Sequence, residues 1–117
     1  MRTIIFYRTP TGKCPVEQFL DNLSSKQAQK VTWVLQLVEE LDFVPGNYLK
    51  NLVNTGGILE IRIQFSRDIF RLLGFQKGKN TIILTNGFQK KTQKTPSQEI
   101  ELAEKRKREY LNREARK

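Results

Sequence analysis

The stretch ILEIRIQFSRDIFRLLGFQKGKNTIILTNGF, residues 58–88, decides the fold because it holds three strand signals separated by short polar turns. In residues 58–65, Ile61, Ile63 and Phe65 alternate with polar residues, which is the period of a strand with one buried face. Residues 69–75 and 81–88 give the second and third strands. Connections this short indicate an antiparallel meander.

Upstream of the meander, the sequence predicts one strand and two helices. Residues 3–8 (TIIFYR) are β-branched and aromatic, which favours a strand. A proline opens a short helix over about 15–22, and a serine–glutamine capping box at 24 and 27 begins a longer helix to about residue 41. Residues 44–55 contain proline, glycine and three asparagines, so we expect a loop with room for one short helical turn.

Downstream of the meander, the segment TNGFQKKTQKTP (85–96) leads into a C-terminal helix and places Lys90, Lys91 and Lys94 within five residues. Thr95 as N-cap and Pro96 at the first helical position predict a helix from there to about residue 113. Acidic residues come early in this helix and KRKR (105–108) comes later, which suits the helix dipole. We expect two stabilising i,i+4 pairs, Glu101–Lys105 and Glu104–Arg108.

Together these elements predict one α+β domain over residues 1–117. Its core is a small antiparallel sheet made from the N-terminal strand and the three-strand meander. The helical hairpin covers one face of this sheet, and the other face is wetter. The C-terminal helix completes the fold.

The positive charge of the chain lies in its second part. The net charge is +9, from 21 lysines and arginines against 12 aspartates and glutamates. Residues 1–49 hold five groups of each sign, so residues 50–117 carry the whole excess, 16 basic groups against 7 acidic ones. Such asymmetry favours a polyanionic partner, with nucleic acid first, although an acidic protein would also fit.

Cysteine and histidine counts restrict the chemistry. Cys14 is the single cysteine, which rules out an internal disulfide and favours a reducing cytoplasm. The chain has no histidine, so acid–base catalysis would fall to lysine, arginine, tyrosine or carboxylates with shifted pKa values. No metal site and no cofactor are expected. The apolar run at residues 4–7 is too short for a signal peptide or a membrane span, so we expect no membrane contact.

Two arginines on neighbouring strands are candidates for a basic cleft. Arg62 lies on the polar face of the first meander strand, and Arg71 interrupts the apolar second strand. Burying Arg71 unpaired would be costly, so it either reaches the open face or pairs with Glu60. With Lys90 and Lys91 nearby we favour a shared cleft, while a solvated turn on a basic protein is the alternative.

Three segments resemble a known family: GILEIRI (57–63), RDIFRLLGF (67–75) and TNGFQKKTQKTPSQEIELAEKRKREY (85–110). They are similar to phage-derived toxins of the HigB branch of the RelE/ParE-like superfamily. The strand–helix–helix–three-strand–helix order is also that of the superfamily, and GF-x-KKT-x-K-TP followed by E-I-x-x-A is the specific part. The resemblance implies the toxin of a type II toxin–antitoxin pair. It further implies cleavage of messenger RNA, commonly on the ribosome, and inhibition by a small antitoxin, expected to be a helix-turn-helix protein.

The resemblance also assigns roles to residues of this chain. It implies that Arg62 and Arg71 stabilise the phosphate and the transition state, and that Lys90 and Lys91 serve in acid–base catalysis. Mutual repulsion between the two lysines is expected to lower the pKa of one of them enough for a general base. Further RNA contacts are expected from a stacking or core phenylalanine and three rim cations, namely Phe88, Lys50, Arg67 and Lys94.

The chain departs from some relatives, and other functions remain open. Some superfamily ribonucleases use a C-terminal tyrosine or histidine, but this chain has no histidine and Tyr110 lies well along a helix. ParE-type relatives act on DNA gyrase with the same fold, so a non-enzymatic toxin or RNA binder is the alternative function. A prophage remnant that folds without acting is a third hypothesis. We expect an antitoxin to lay an acidic segment over the basic cleft.

Overall fold

The computed structural model of the chain describes residues 1–92 and 94–117. It is an α+β fold with five strands and three helices. In chain order the elements are β1 (Thr3–Phe6), α1 (Pro15–Asp21), α2 (Ser25–Glu40), β2 (Leu49–Asn51), β3 (Ile58–Phe65), β4 (Asp68–Lys77), β5 (Thr81–Gln89) and α3 (Ser97–Ala115).

The sheet is mixed, with strand order β1-β5-β4-β3-β2. The predicted antiparallel meander is confirmed as β3, β4 and β5. The prediction of a wholly antiparallel sheet is wrong, because β1 pairs with β5 in parallel, from Thr3 opposite Thr81 to Phe6 opposite Leu84. Short turns predict pairing only between strands that are consecutive in the sequence. β1 and β5 are instead separated by two helices and three strands, so no local signal predicts how they pair.

The edge strand β2 was not predicted. Its sequence is only Leu-Lys-Asn, inside the segment expected to be a loop, and so short a run has no detectable period. Lys50 pairs with Glu60 across the β2–β3 ladder. The pairing is therefore supplied by the long neighbouring strand rather than by a local preference, and it brings Lys50 beside Glu60 of β3.

The two predicted N-terminal helices cover one face of the sheet. The capping box of α2 is confirmed, with the Ser24 hydroxyl accepting from the Gln27 backbone and the Gln27 side chain accepting from the Ser24 backbone. Its buried face packs on the apolar row of β3 and β4, in a core that includes Val31, Val34, Val38, Ile61, Ile63, Phe70 and Leu72. These side chains occupy the apolar positions that recur with helical spacing in α2 and with a period of two in the strands.

Helix α3 lies on the opposite face but covers only part of it. Ala103 is fully buried against Ile58 and Leu73, and Tyr110 packs on Phe75 further along. The small Ala103 side chain lets the helix approach the sheet closely. The end of this face that bears Arg62 and Arg71 lies beyond the helix, and it forms the floor of the candidate site described below.

A bulge in β5 fixes the start of α3. Leu73 pairs with Asn86 and Gly74 with Leu84, so Thr85 is the extra residue. Thr85 and Asn86 are both buried, and the Asn86 amide donates to the Glu99 backbone carbonyl at 3.2 Å and to its side chain at 3.0 Å. The segment that carries the lysines is thereby anchored at both ends.

Within residues 1–92 and 94–117, no helix combines the length and the apolar composition that crossing a bilayer requires.

Candidate active site

Arg62 and Arg71 are direct cross-strand partners on β3 and β4. Like charges in this position normally destabilise a sheet. Here Glu60, two residues before Arg62 on the same face, offsets the repulsion: its Oε1 accepts from Arg62 Nε at 2.9 Å and lies 3.5 Å from Arg71 Nε. One carboxylate therefore holds two guanidinium groups side by side.

Glu60 is the buried centre of the site, with a side chain only 1% exposed. Its second oxygen, Oε2, accepts a hydrogen bond from the hydroxyl of Thr95. Burial alone would raise the pKa of this carboxyl, but the hydrogen bonds from Thr95 and Arg62 and the charge of Arg71 hold the pKa below its usual value. Glu60 is thus an ionised structural anion that fixes the cations around it.

Thr95 corrects the prediction for the start of α3. It was expected to be the N-cap, yet the N-cap position is Pro96 and the Thr95 hydroxyl is directed to Glu60 instead. As an N-cap, the Thr95 hydroxyl would accept from a backbone N–H, but here it donates to a buried carboxylate, and a hydrogen bond to a charged acceptor is the stronger of the two. The sequence contains the acceptor and the donor 35 positions apart, so only the fold reveals the contact.

Arg71 has unused hydrogen-bonding capacity that faces a cavity. Its side chain is 12% exposed, and its Nη1 donates to the Phe70 carbonyl at 3.1 Å. Its buried Nε makes no hydrogen bond within the described residues, because the contact with Glu60 lacks the required geometry. Burial, and secondarily the charge of Arg62, lower the pKa of Arg71. A guanidinium with few partners and little hydration is prepared to bind an anion tightly.

Two neighbouring cavities surround this cluster and share Lys90. The first, about 430 Å³, is lined by Ile69, Arg71, Lys90, Lys91 and Thr92. The second, about 320 Å³, lies on the Arg62 side and includes three further cations or hydroxyls, namely Lys50, Lys94 and Thr95. Together they form a basic trough, which we call the cleft, across the uncovered end of the sheet.

Lys90 lines both cavities of the cleft, the first together with Arg71 and the second together with Arg62. Its backbone N–H donates to the Ile69 carbonyl at 2.7 Å, which continues the β4–β5 pairing and fixes the residue. Burial lowers the pKa of Lys90, and the charge of Arg71 lowers it further. The like charges that lower this pKa are those of Arg71, Arg62 and Lys50, whereas the sequence had pointed to repulsion between Lys90 and Lys91. Lys91 itself is exposed on the rim of the first cavity.

The remaining predicted residues are placed unevenly. Lys50 and Lys94 line the second cavity, as expected for rim cations. Phe88 pairs opposite Arg71 but packs with Ile58 and Leu73 beneath α3, which favours its core role over stacking on a base. Arg67 lies in the β3–β4 turn and lines neither cavity, so the structure does not bring it together with the others.

The arrangement suits a phosphodiester better than a metal ion. The positive charges of Arg62, Arg71 and Lys90 lie around Glu60. Both oxygens of this buried carboxylate already contact other side chains. Among the described residues, no group of three or more aspartate, glutamate or cysteine side chains is placed to hold a metal. The cleft therefore combines fixed positive charge with one amine, that of Lys90, whose pKa lies below the usual lysine value.

Comparison with known proteins gives one family. The family described as "Phage derived protein Gp49-like (DUF891)" matches residues 18–108, which include every residue of the cleft. No curated protein matches the chain.

Proposed function

Since the chain belongs to the Gp49-like family of phage-derived proteins (DUF891), we propose that it is the toxin of a type II toxin–antitoxin pair. Its proposed activity is the endonucleolytic cleavage of messenger RNA during translation. This is the activity implied by the resemblance to the HigB branch of the RelE/ParE-like superfamily. The cytoplasm is the proposed compartment, because translating ribosomes are there.

One observation carries the proposal: Arg62, Arg71 and Lys90 converge around the buried Glu60 on the uncovered end of the sheet. Cleavage of RNA by its own 2′-hydroxyl needs a base for that hydroxyl, stabilisation of the phosphorane charge and an acid for the leaving oxygen. The cleft offers a group for each of these needs without histidine.

The proposed reaction is an in-line transfer at phosphorus. The neutral amine of Lys90 takes the proton from the 2′-hydroxyl, and the 2′-oxygen forms a bond to phosphorus. The bond from phosphorus to the 5′-oxygen breaks, and the ammonium of Lys91 gives its proton to that oxygen. The products are a 2′,3′-cyclic phosphate and a free 5′-hydroxyl. Arg71 and Arg62 neutralise the charge that builds on the non-bridging oxygens.

Lys90 suits the base because a general base works best when its pKa is near the working pH. Burial and Arg71 move its pKa in that direction. Lys91, exposed at the rim, can reach a leaving oxygen directed toward solvent. Glu60 takes no proton in this scheme; it keeps Arg62 and Arg71 oriented toward the phosphate.

The proposed partners follow from the same surface. Messenger RNA occupies the cleft while the ribosome presents it, and a small antitoxin, a helix-turn-helix protein, inhibits the toxin. We propose that the antitoxin places an acidic segment over the cleft, since carboxylates can replace phosphates against Arg62, Arg71 and Lys90.

The direct test is cleavage of a defined messenger RNA by the purified protein with translating ribosomes. The wild type should release fragments that end in a 2′,3′-cyclic phosphate. Arg71→Ala and Lys90→Arg should each slow cleavage by about 100-fold or more while much of the RNA affinity remains. Lys26→Ala, an exposed charge at the start of α2, is the matched control and should cleave normally.

A non-enzymatic toxin on the same fold would give a different result. No fragment would appear, and charge removal in the cleft would cause only graded losses of affinity. For an RNA binder, the salt slope would fall by about 0.7–0.9 per lost phosphate contact. For a gyrase inhibitor, the same variants would affect supercoiling assays and leave RNA intact.

A further inference from the structure

A second basic surface lies along α3, apart from the cleft. Two adjoining cavities, about 330 and 520 Å³, share Pro10 and Glu109 as lining residues. Their cations come from the middle and end of α3 and are Lys105, Arg106, Arg113 and Arg116. We call this surface the α3 groove. None of its lining residues lines either cavity of the cleft.

The two central arginines of the groove are held in place by the segment that follows β1 and by the bulge. Arg106 Nη1 donates to the Thr85 carbonyl at 2.8 Å, and Arg113 Nη2 donates to the Arg8 carbonyl at 2.6 Å. Both guanidinium groups lie near the buried ring of Tyr7, at 5.9 and 5.6 Å from its centroid. Residues 106 and 113 are seven positions apart, so they share one face of the helix.

The acidic residues nearby are already engaged. Glu109 accepts from the Tyr7 hydroxyl at 2.6 Å and from Arg113 at 2.8 Å. Burial and Glu109 together raise the pKa of Tyr7 to about 12, so its hydroxyl stays protonated and keeps donating. The groove therefore has no free carboxylate between its cations among the described lining residues.

The helix pairs expected to neutralise part of this charge are not formed. The prediction of Glu101–Lys105 and Glu104–Arg108 pairs is wrong, because Glu104 instead accepts from the Gly56 backbone at 2.8 Å. Across residues 1–92 and 94–117, the ion pairs include none made by Lys105 or Arg116. Both side chains are on exposed residues. Ion pairing along the helix therefore leaves the charges of Lys105 and Arg116 unneutralised among the described residues.

We propose that the α3 groove binds the phosphodiester backbone of RNA, as a second contact for an RNA whose other part occupies the cleft. Lys105 and Arg116 are 11 positions apart, which is roughly 16 Å along a helix. A row of cations over that length can face several phosphates of one RNA strand. Arg106 and Arg113 are fixed between these two ends.

An RNA backbone fits the groove better than an acidic protein does. Protein interfaces usually centre on exposed aromatic or aliphatic anchors in a desolvated pocket. Here the aromatic residue of the groove, Tyr7, is only 3% exposed and already packed against two guanidinium groups. What the groove offers to a partner is fixed positive charge, which is how non-sequence-specific RNA contacts are made.

This inference extends the proposed function, yet its test does not depend on cleavage. The probe is a fluorescent RNA hairpin with 2′-O-methyl groups, which cannot be cut through its 2′-oxygens, and its anisotropy is followed against salt concentration. The test variant is Lys105→Gln/Arg116→Gln, two exposed side chains without ion pairs, so the fold should be retained. The matched control is Lys26→Gln/Lys79→Gln, which removes the same charge from exposed positions on α2 and the β4–β5 turn.

The groove variant should lower the salt slope of the logarithm of the binding constant by about 1.4–1.8, that is about 0.7–0.9 for each lost phosphate contact. The control should leave the slope unchanged. Equal slopes for both variants would overturn the inference. So would a groove variant that binds RNA normally but no longer binds poly-glutamate, because the partner would then be an acidic protein.

The outcome of this binding test does not depend on whether the proposed ribonuclease activity is correct. If the cleft variant Arg71→Ala still cuts RNA, the proposed active site fails while the groove result stands. If the groove variant binds like the control but cleavage is intact, only the groove inference fails. The Lys105→Gln/Arg116→Gln protein should also keep its cleavage rate on a short RNA that reaches only the cleft.

Discussion

The hydroxyl of Thr95 donates to the carboxylate of Glu60, and this contact connects the start of α3 to the centre of β3. Thr95 lies in the segment between β5 and α3, so the contact holds this segment against the site. The other oxygen of the same carboxylate holds Arg62 and lies beside Arg71. One buried anion thus couples the packing of the C-terminal helix to the orientation of both cleft arginines.

Thr95→Val should destabilise the protein by about 2 kcal/mol, because a buried carboxylate loses a hydrogen bond that it accepts. Urea unfolding followed by circular dichroism measures the change. The control is Thr92→Val, whose exposed hydroxyl donates to the Lys94 carbonyl at 2.9 Å and should cost less than about 0.5 kcal/mol. Equal losses of unfolding free energy for the two variants would show that the Thr95 hydrogen bond stabilises the protein no more than an exposed one does.

Glu60→Gln should destabilise the protein by about 3 kcal/mol, since Arg62 and Arg71 would then face each other without a counter-charge. Adding Arg71→Met should recover part of that loss, because it removes one of the two repelling groups. A double-mutant cycle on unfolding free energies measures the coupling. Strictly additive losses would contradict the role assigned to Glu60.

The stability that Glu60 contributes should depend on pH. Its pKa is lower in the folded protein than the ordinary value of 4.5, so the contribution is complete above that value and is lost as pH falls through the folded pKa. The difference in unfolding free energy between the wild type and Glu60→Gln should be constant from about pH 6 to 7. It should shrink progressively below about pH 4.5. A difference that grows on acidification would contradict the assignment.

Gly74→Ala should be strongly destabilising, by about 3 kcal/mol, because its Cβ would lie 2.1 Å from the Ile83 carbonyl oxygen at the bulge. Backbone atoms of a paired strand cannot move aside as a flexible side chain can. Gly46→Ala is the control, since nothing lies within 4 Å of a Cβ at that position. Thermal unfolding of the two variants should differ by many degrees, and similar midpoints would show that the bulge tolerates a side chain.

Lys90→Arg should distinguish the role of Lys90 as a general base from its role as a positive charge. Arginine keeps the cation near Arg71 but does not give up its proton, so cleavage should fall by about 100-fold or more while RNA affinity is retained. In the wild type, the cleavage rate should rise with pH through the lowered pKa of Lys90. Replacing Arg71 with Gln should move that rise to higher pH, because it removes the positive charge that most strongly repels the ammonium form of Lys90. An unchanged pH profile would assign the base elsewhere.

Much of the fold could be predicted because its signals are local. The meander followed from the period-two alternation of residues 58–65 and from short turns, and α2 followed from the Ser24–Gln27 capping box. The parallel pairing of β1 and the edge strand β2 could not be predicted, since their partners are remote in sequence. Long-range pairing is decided by the packing of the whole sheet rather than by the short strand itself.

The candidate site was predictable in composition and less so in geometry. Arg62, Arg71 and Lys90 stood out as charges on or beside apolar strands, and the structure brings them together. Glu60 was foreseen only as one possible partner of Arg71, and the Thr95 contact was missed because its residue type also suits an N-cap. The sequence marks which charges are unusual, while the fold determines which of them share a carboxylate.

The most direct test of the central claim is the mapping of messenger RNA ends in cells during inducible expression of the wild type and of Arg71→Ala. The wild type should arrest growth and produce new internal ends within translated regions, and Arg71→Ala should produce neither. Growth arrest by the wild type with intact messenger RNA, accompanied by a DNA-damage response, would contradict the ribonuclease and indicate a gyrase-type target.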